Sequence, residues 1–121
     1  MAPTILVVED DAAQRELLCE LLEEHGYACA PAVLASEQNP DAVVLDMVLP
    51  RLNGYEFLQE LRERGVRDLG VVVVSGFGPV SRFVDRFPLV RAVVQKPVDL
   101  EVLLEAVQSC VVAHAAPEPA R

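Results

Sequence analysis

Four short aliphatic, largely β-branched runs constrain the fold most: Thr4 to Val8, Ala42 to Leu45, Val71 to Val74 and Ala92 to Val94. None of them alternates apolar with polar residues. A strand that is apolar throughout has both faces covered, as strands do in a parallel sheet flanked by helices. Tyr27 to Ala30 is a fifth, weaker strand candidate. Helical patterns separate these runs. Between Ala12 and His25, Leu17, Leu18, Leu21 and Leu22 form one apolar stripe, with Asp11 placed to cap it and Gly26 to stop it. Phe57, Leu58 and Leu61 repeat the pattern between Tyr55 and Arg64, ahead of Gly65. Pro79 to Phe87 predicts a short helix bounded by prolines. Leu100, Leu103, Leu104, Val107 and Val111 share one face of a last helix from Leu100 to Val112, capped by Asp99. Strands alternating with helices build right-handed crossovers, so the expectation is an α/β fold with one doubly wound parallel sheet.

Length and composition narrow the function. A chain of 121 residues is one domain. Its expected extent is 1–113, followed by a disordered tail, 114–121, that carries Pro117 and Pro119. Apolar runs are strand-sized, which argues against a membrane span, and the Met1-Ala-Pro-Thr4 start lacks signal-peptide character. The expected location is cytoplasmic. Nineteen acidic against ten basic residues give a formal charge of −9, which disfavours binding to nucleic-acid phosphates. Cys19, Cys29 and Cys110 are odd in number, widely spaced and without a CxxC pair, so all three are read as reduced thiols. His25 and His114 are isolated and read as surface or helix-end residues.

Chemistry converges at the strand ends. Ligands of an open doubly wound sheet bind at the carboxyl ends of its strands. The first run leads into Glu9, Asp10 and Asp11; the others end at Asp46, at Ser75 and just before Lys96. Singly, these residues are ordinary: an acid after a strand caps a helix, a serine makes a turn, a lysine is solvated. Jointly they bring several carboxylates, a hydroxyl and the chain's only lysine to one rim. Crowded carboxylates protonate or take up a cation, and an all-oxygen set suits Mg²⁺. A carboxylate beside such an ion can act as a nucleophile toward phosphorus, with lysine and serine supporting the transferred oxygens.

With those residues in view, the sequence resembles the receiver domain of two-component response regulators from Thr4 to about Val112. The resemblance is carried by Ile5-Leu-Val-Val-Glu-Asp-Asp11, Asp46-Met-Val-Leu-Pro-Arg-Leu-Asn-Gly54, Val74-Ser-Gly76 and Gln95-Lys-Pro97. It implies a flavodoxin-like five-stranded parallel sheet in the order 2-1-3-4-5. It also implies Asp46 as phosphoacceptor, with Ser75 and Lys96 assisting. Asp10, Asp46 and the backbone carbonyl of Val48 would bind Mg²⁺ directly, and Glu9 mostly through water. Pro50 and Gly54 resemble the loop-shaping pair after the acceptor, and a cis Lys96-Pro97 bond is implied. The donor would be a histidine kinase or a histidine phosphotransfer protein, with an unspecified downstream protein target and no nucleic acid or membrane bound by this chain.

Three departures from the family pattern stand out. Only eleven residues separate Ala30 from Ala42, near the minimum for a parallel crossover, so the second helix is expected to be short or missing. Ser75 is followed by Gly76, Phe77 and Gly78, similar to receivers found alone or attached to histidine kinases. Val93 stands where many receivers carry a switching aromatic, which moves the expected output to Gly76 to Phe87. The alternative of a degenerate receiver, acting as a phosphorylation-independent interaction module, would show loss of the acceptor, an acid or the lysine; all are present. A flavodoxin-like FMN binder is disfavoured by the acids that would repel its phosphate. An aspartate-nucleophile phosphatase is disfavoured by Val48, where a second Asp would stand.

Overall fold

A computed structural model of the chain describes residues 2–9, 11–31, 40–46, 54–66, 68–75 and 87–115. In chain order these form β1 (Thr4–Val8), α1 (Ala12–Glu24), β2 (Ala28–Pro31), β3 (Ala42–Asp46), α2 (Gly54–Glu63), β4 (Gly70–Ser75), β5 (Val90–Gln95) and α3 (Leu100–Ala115). The five strands make one parallel sheet in the order β2-β1-β3-β4-β5. The expected fold class and strand order are both observed. The crossover expected to hold a short or missing second helix, and the helix expected from Pro79 to Phe87, fall on 32–39 and 76–86, outside the described residues.

The apolar strands alternate between two cores, one on each side of the sheet. Leu6, Val8, Val43, Leu45, Val71 and Val73 point to one side, where α2 supplies Phe57, Leu58 and Leu61. Ile5, Val7, Val44, Val72 and Val74 point to the other, against Leu22 of α1 and Leu103, Val107 and Cys110 of α3. Apart from the partly buried Thr4, every residue of β1, β3 and β4 is buried, which is why these segments show no polar alternation. Each such aliphatic side chain contributes about 1.5–3 kcal/mol when fully buried.

Local signals set the element ends. Asp11 Oδ1 accepts from the N–H groups of Ala13 and Gln14 at 2.9 and 3.2 Å, capping α1. Asp99 Oδ1 caps α3 by accepting from Glu101 and Val102 at 3.0 and 3.3 Å. Gly26 and Gly65, at φ 90° and 72°, turn the chain out of α1 and α2 in the left-handed region that favours glycine. The strand expected at Ala92 to Val94 begins earlier, at Val90. The β4–β5 register slips there by one residue, so Arg91 is skipped and stands exposed. The last helix runs to Ala115; the tail expected beyond it lies, from 116 on, outside the described residues.

Two expectations are corrected. Cys19 of α1 and Cys29 of β2 form a disulfide, so they are not the reduced thiols read from the sequence. Ten positions separate them, so no local spacing marks the pair; the packing of α1 across β2 brings their Cα atoms to 5.4 Å, within disulfide range. Cys110 remains a buried thiol whose pKa is pushed up by burial, an effect that Arg91 opposes. Leu17 and Leu100, assigned to the core stripes, are 68% and 50% exposed. Both belong to apolar stripes wider than the strip of sheet that α1 or α3 covers.

Candidate functional site

The sheet order makes β1 and β3 neighbours while their crossovers run to opposite sides, so a crevice opens at their carboxyl ends. Glu9 follows β1, Asp46 ends β3, Ser75 ends β4 and Lys96 follows β5; four of the residues singled out in the sequence therefore share this rim. Asp46 and Ser75 are 3% and 5% exposed, the only buried polar or charged residues among those described. Lys96 Nζ donates to Asp46 Oδ2 at 2.8 Å, from a side chain that remains one-third exposed. Its position is fixed from the main chain. The Lys96 N–H donates to the Ser75 carbonyl at 2.9 Å, extending the β4–β5 ladder by one bond, and the Lys96-Pro97 peptide is cis, as expected.

Electrostatics at the rim are unbalanced. The Glu9 carboxyl is pushed up from 4.5 to about 7, first by burial, then by its hydrogen bond to Asp46 and the Asp46 charge. The Asp11 N–H, donated to Glu9 Oε1 at 3.1 Å, and the Lys96 charge pull it the other way without cancelling the rise. Two carboxylates thus face one ammonium, and a further positive charge would relieve them. Oxygen donors in such a setting suit a hard divalent ion, so Glu9 and Asp46 fit Mg²⁺ and do not suit a soft metal. The other two expected ligands, Asp10 and the Val48 carbonyl, lie outside the described residues, as do Pro50 and the stretch 76–86 assigned to output. Val93, half-buried, packs against the core on the α2 side.

Sequence reading missed a cleft of ≈390 Å³ beside these groups. Glu9, Asp46 and Lys96 line it together with Gln14, Leu17, Leu18 and Leu21 of α1 and Val98 and Leu100 before and at the start of α3. Leu17 and Leu100 are thus displaced from the core to the walls of a cleft next to Asp46. A helical stripe shows that leucines share a face, but not how much of that face the sheet reaches.

A family model for the response regulator receiver domain matches residues 5–108. The chain belongs to that family. Response regulator MprA of Mycobacterium sp. (strain KMS) is 41% identical to it over 88 residues, covering 67% of this chain and 38% of that protein. The phosphate regulon transcriptional regulatory protein PhoB of Escherichia coli (strain K12) is 38% identical over 86 residues, covering 64% and 38%. The chain therefore spans about two fifths of the length of these curated relatives. The crystal structure of a response regulator receiver protein from Pseudomonas putida is similar to this receiver domain with a TM-score of 0.77 at 30% identity, covering 90% of this chain and 98% of that one. As a two-component receiver the chain is a signalling module, not an enzyme. Receiver domains are typically Mg²⁺-dependent and partner with histidine kinases. Among the described residues no helix is long and apolar enough to cross a membrane.

Proposed function

We propose that this receiver domain accepts a phosphoryl group on Asp46 from the phosphohistidine of a kinase or phosphotransfer protein and thereby alters a protein-binding surface. The observation that carries this reading is the 2.8 Å contact of Lys96 with a carboxylate that is itself 3% exposed. A carboxylate held at a strand end, paired with an ammonium and lining the cleft, is a nucleophile waiting for an electrophile. An Asp46 oxygen attacks phosphorus, the N–P bond of the donor breaks, and the imidazole leaves with the electron pair of that bond. Lys96 then pairs with a phosphoryl oxygen, and the Ser75 hydroxyl donates to another. Asp10, Asp46 and the Val48 carbonyl would hold Mg²⁺, with Glu9 acting mostly through water; the ion, when bound, offsets charge on the phosphoryl oxygens. The cleft walled by Leu17, Leu21 and Leu100 gives a protein donor an apolar footing beside Asp46.

Incubation with MgCl₂ and a small phosphodonor, followed by intact mass, tests the assignment. Wild type gains one phosphoryl group and Asp46→Asn gains none; equal gain by the Asn variant overturns it. The Val93 side chain is compact and has little χ1 freedom, so the output is carried elsewhere on the domain.

A further inference from the structure

Arg15 takes no part in the phosphoryl chemistry, yet it is fastened both to Glu9 and to Asp11. Its N–H donates to the Asp11 carbonyl at 2.9 Å, the first helical bond of α1. Its side chain reaches back to the end of β1, and Nη1 donates to the Glu9 carbonyl at 2.9 Å from a half-buried position. Asp11 is tied in from both sides: its N–H donates to Glu9 Oε1 at 3.1 Å, and its Oδ1 caps the helix. The residues on either side of position 10 are therefore anchored to the first turn of α1, Glu9 through its carbonyl and Asp11 through its cap. A guanidinium is suited to this because it stays charged at any working pH and offers donors in a rigid planar fork. It directs this bond to a main-chain oxygen, which leaves the Glu9 carboxylate beside Asp46.

We infer that Arg15 is a positioning residue for Glu9: by holding the Glu9 carbonyl it keeps the Glu9 carboxylate beside Asp46 for Mg²⁺, and its loss weakens the ion more than the fold. The inference rests on the phosphoacceptor reading and adds to it a residue that touches neither the phosphoryl group nor the ion. Groups that orient metal ligands from behind change metal affinity when removed, by about tenfold or more.

The test titrates MgCl₂ against the melting temperature of the unphosphorylated domain, and separately against phosphorylation from a small acyl phosphate. For Arg15→Ala the half-maximal Mg²⁺ concentration rises about tenfold in both titrations. The rate at saturating Mg²⁺ stays near that of wild type. Arg15→Lys, which can still donate to the carbonyl, falls between the two. A purely structural role would lower the Mg²⁺-free melting temperature and leave the half-point in place. An unchanged half-point in Arg15→Ala, with wild type taking up phosphoryl on Asp46, overturns this inference and spares the phosphoacceptor reading. A wild type that shows neither a Mg²⁺ shift nor a mass gain overturns both. Should Arg15→Ala not fold, Arg15→Lys and Arg15→Gln carry the same comparison, and half-points equal to wild type overturn the inference.

Discussion

Glu9 is the residue at which folding and protonation are most openly coupled. Its carboxyl holds a proton up to about pH 7 in the folded chain, against 4.5 for the ordinary group. A folded-state pKa raised in this way adds stability that is fully present below pH 4.5 and is lost as pH rises through 7. Glu9 is only half-buried, so solvent screening reduces the amount. In Mg²⁺-free buffer the melting temperature of wild type relative to Glu9→Gln should therefore fall between pH 5 and about pH 7.5. Over the same interval the stabilisation by Mg²⁺ should grow, because the ion and the proton claim the same oxygens. Melts of the two proteins that stay parallel across the range would overturn this account. Gly70 raises a steric question. A Cβ built there would sit 2.7 Å from Cys110 Sγ and 2.8 Å from Cys110 Cβ, inside the buried contact between β4 and α3. Overpacking of this kind costs about 1–3 kcal/mol, so Gly70→Ala should lower the urea midpoint, and adding Cys110→Ala should restore part of it. Full stability of the single variant would show that α3 shifts away at no cost.

Among the elements, β2 depends most on a single tie. It has four residues, pairs only with β1, and contacts α1 on one side of the sheet. The Cys19–Cys29 disulfide joins this edge strand to that helix. Closing a loop of that size removes about 2.5–3 kcal/mol of unfolded-state entropy in the chain-closure model, an upper value for what the bond contributes. Reductant should accordingly lower the melting temperature of wild type and leave that of a Cys19→Ser, Cys29→Ser variant unmoved. Alkylation of the unfolded, unreduced chain should label Cys110 alone. Labelling of all three cysteines before reduction would remove the tie. The sequence made the strands themselves legible because a buried parallel strand writes its burial into every residue, and Asp46 and Lys96 because they adjoin such runs. It concealed the disulfide, a tertiary pairing without a local spacing. It also concealed the side-chain bond of Arg15 to the Glu9 carbonyl, since a main-chain acceptor has no compositional signature. Leu17 was misplaced for a related reason. Its stripe follows the same helical period as Leu22, which is fully buried, but α1 rests on the sheet by less than the width of that stripe.

At the scale of the molecule, Leu17, Leu100 and Asp46 turn out to line one cleft. The domain carries a formal charge of −9, and α1 bears Glu16, Glu20, Glu23 and Glu24 around its exposed side. A partner approaching this side meets an apolar strip bordered by acids, with Asp46 and Lys96 lining the same cleft. On the proposed reading, a protein donor presents its phosphohistidine while covering Leu17 and Leu100, whereas a small phosphodonor need only enter the cleft. The two donors should therefore respond differently to a charge placed on the wall. Leu17→Asp should lower the rate of transfer from a phosphorylated histidine protein several-fold relative to the rate from a small acyl phosphate, since burying an unpaired carboxylate at an interface costs several kcal/mol, less whatever the rim hydrates. Leu17→Met, which keeps size and apolarity, should leave the ratio of the two rates near that of wild type. The measurement is a pair of single-turnover transfers, read by intact mass at matched Mg²⁺. A ratio that does not move in Leu17→Asp would mean that the donor reaches Asp46 from another side, and that the exposed leucines of this cleft belong to a different contact.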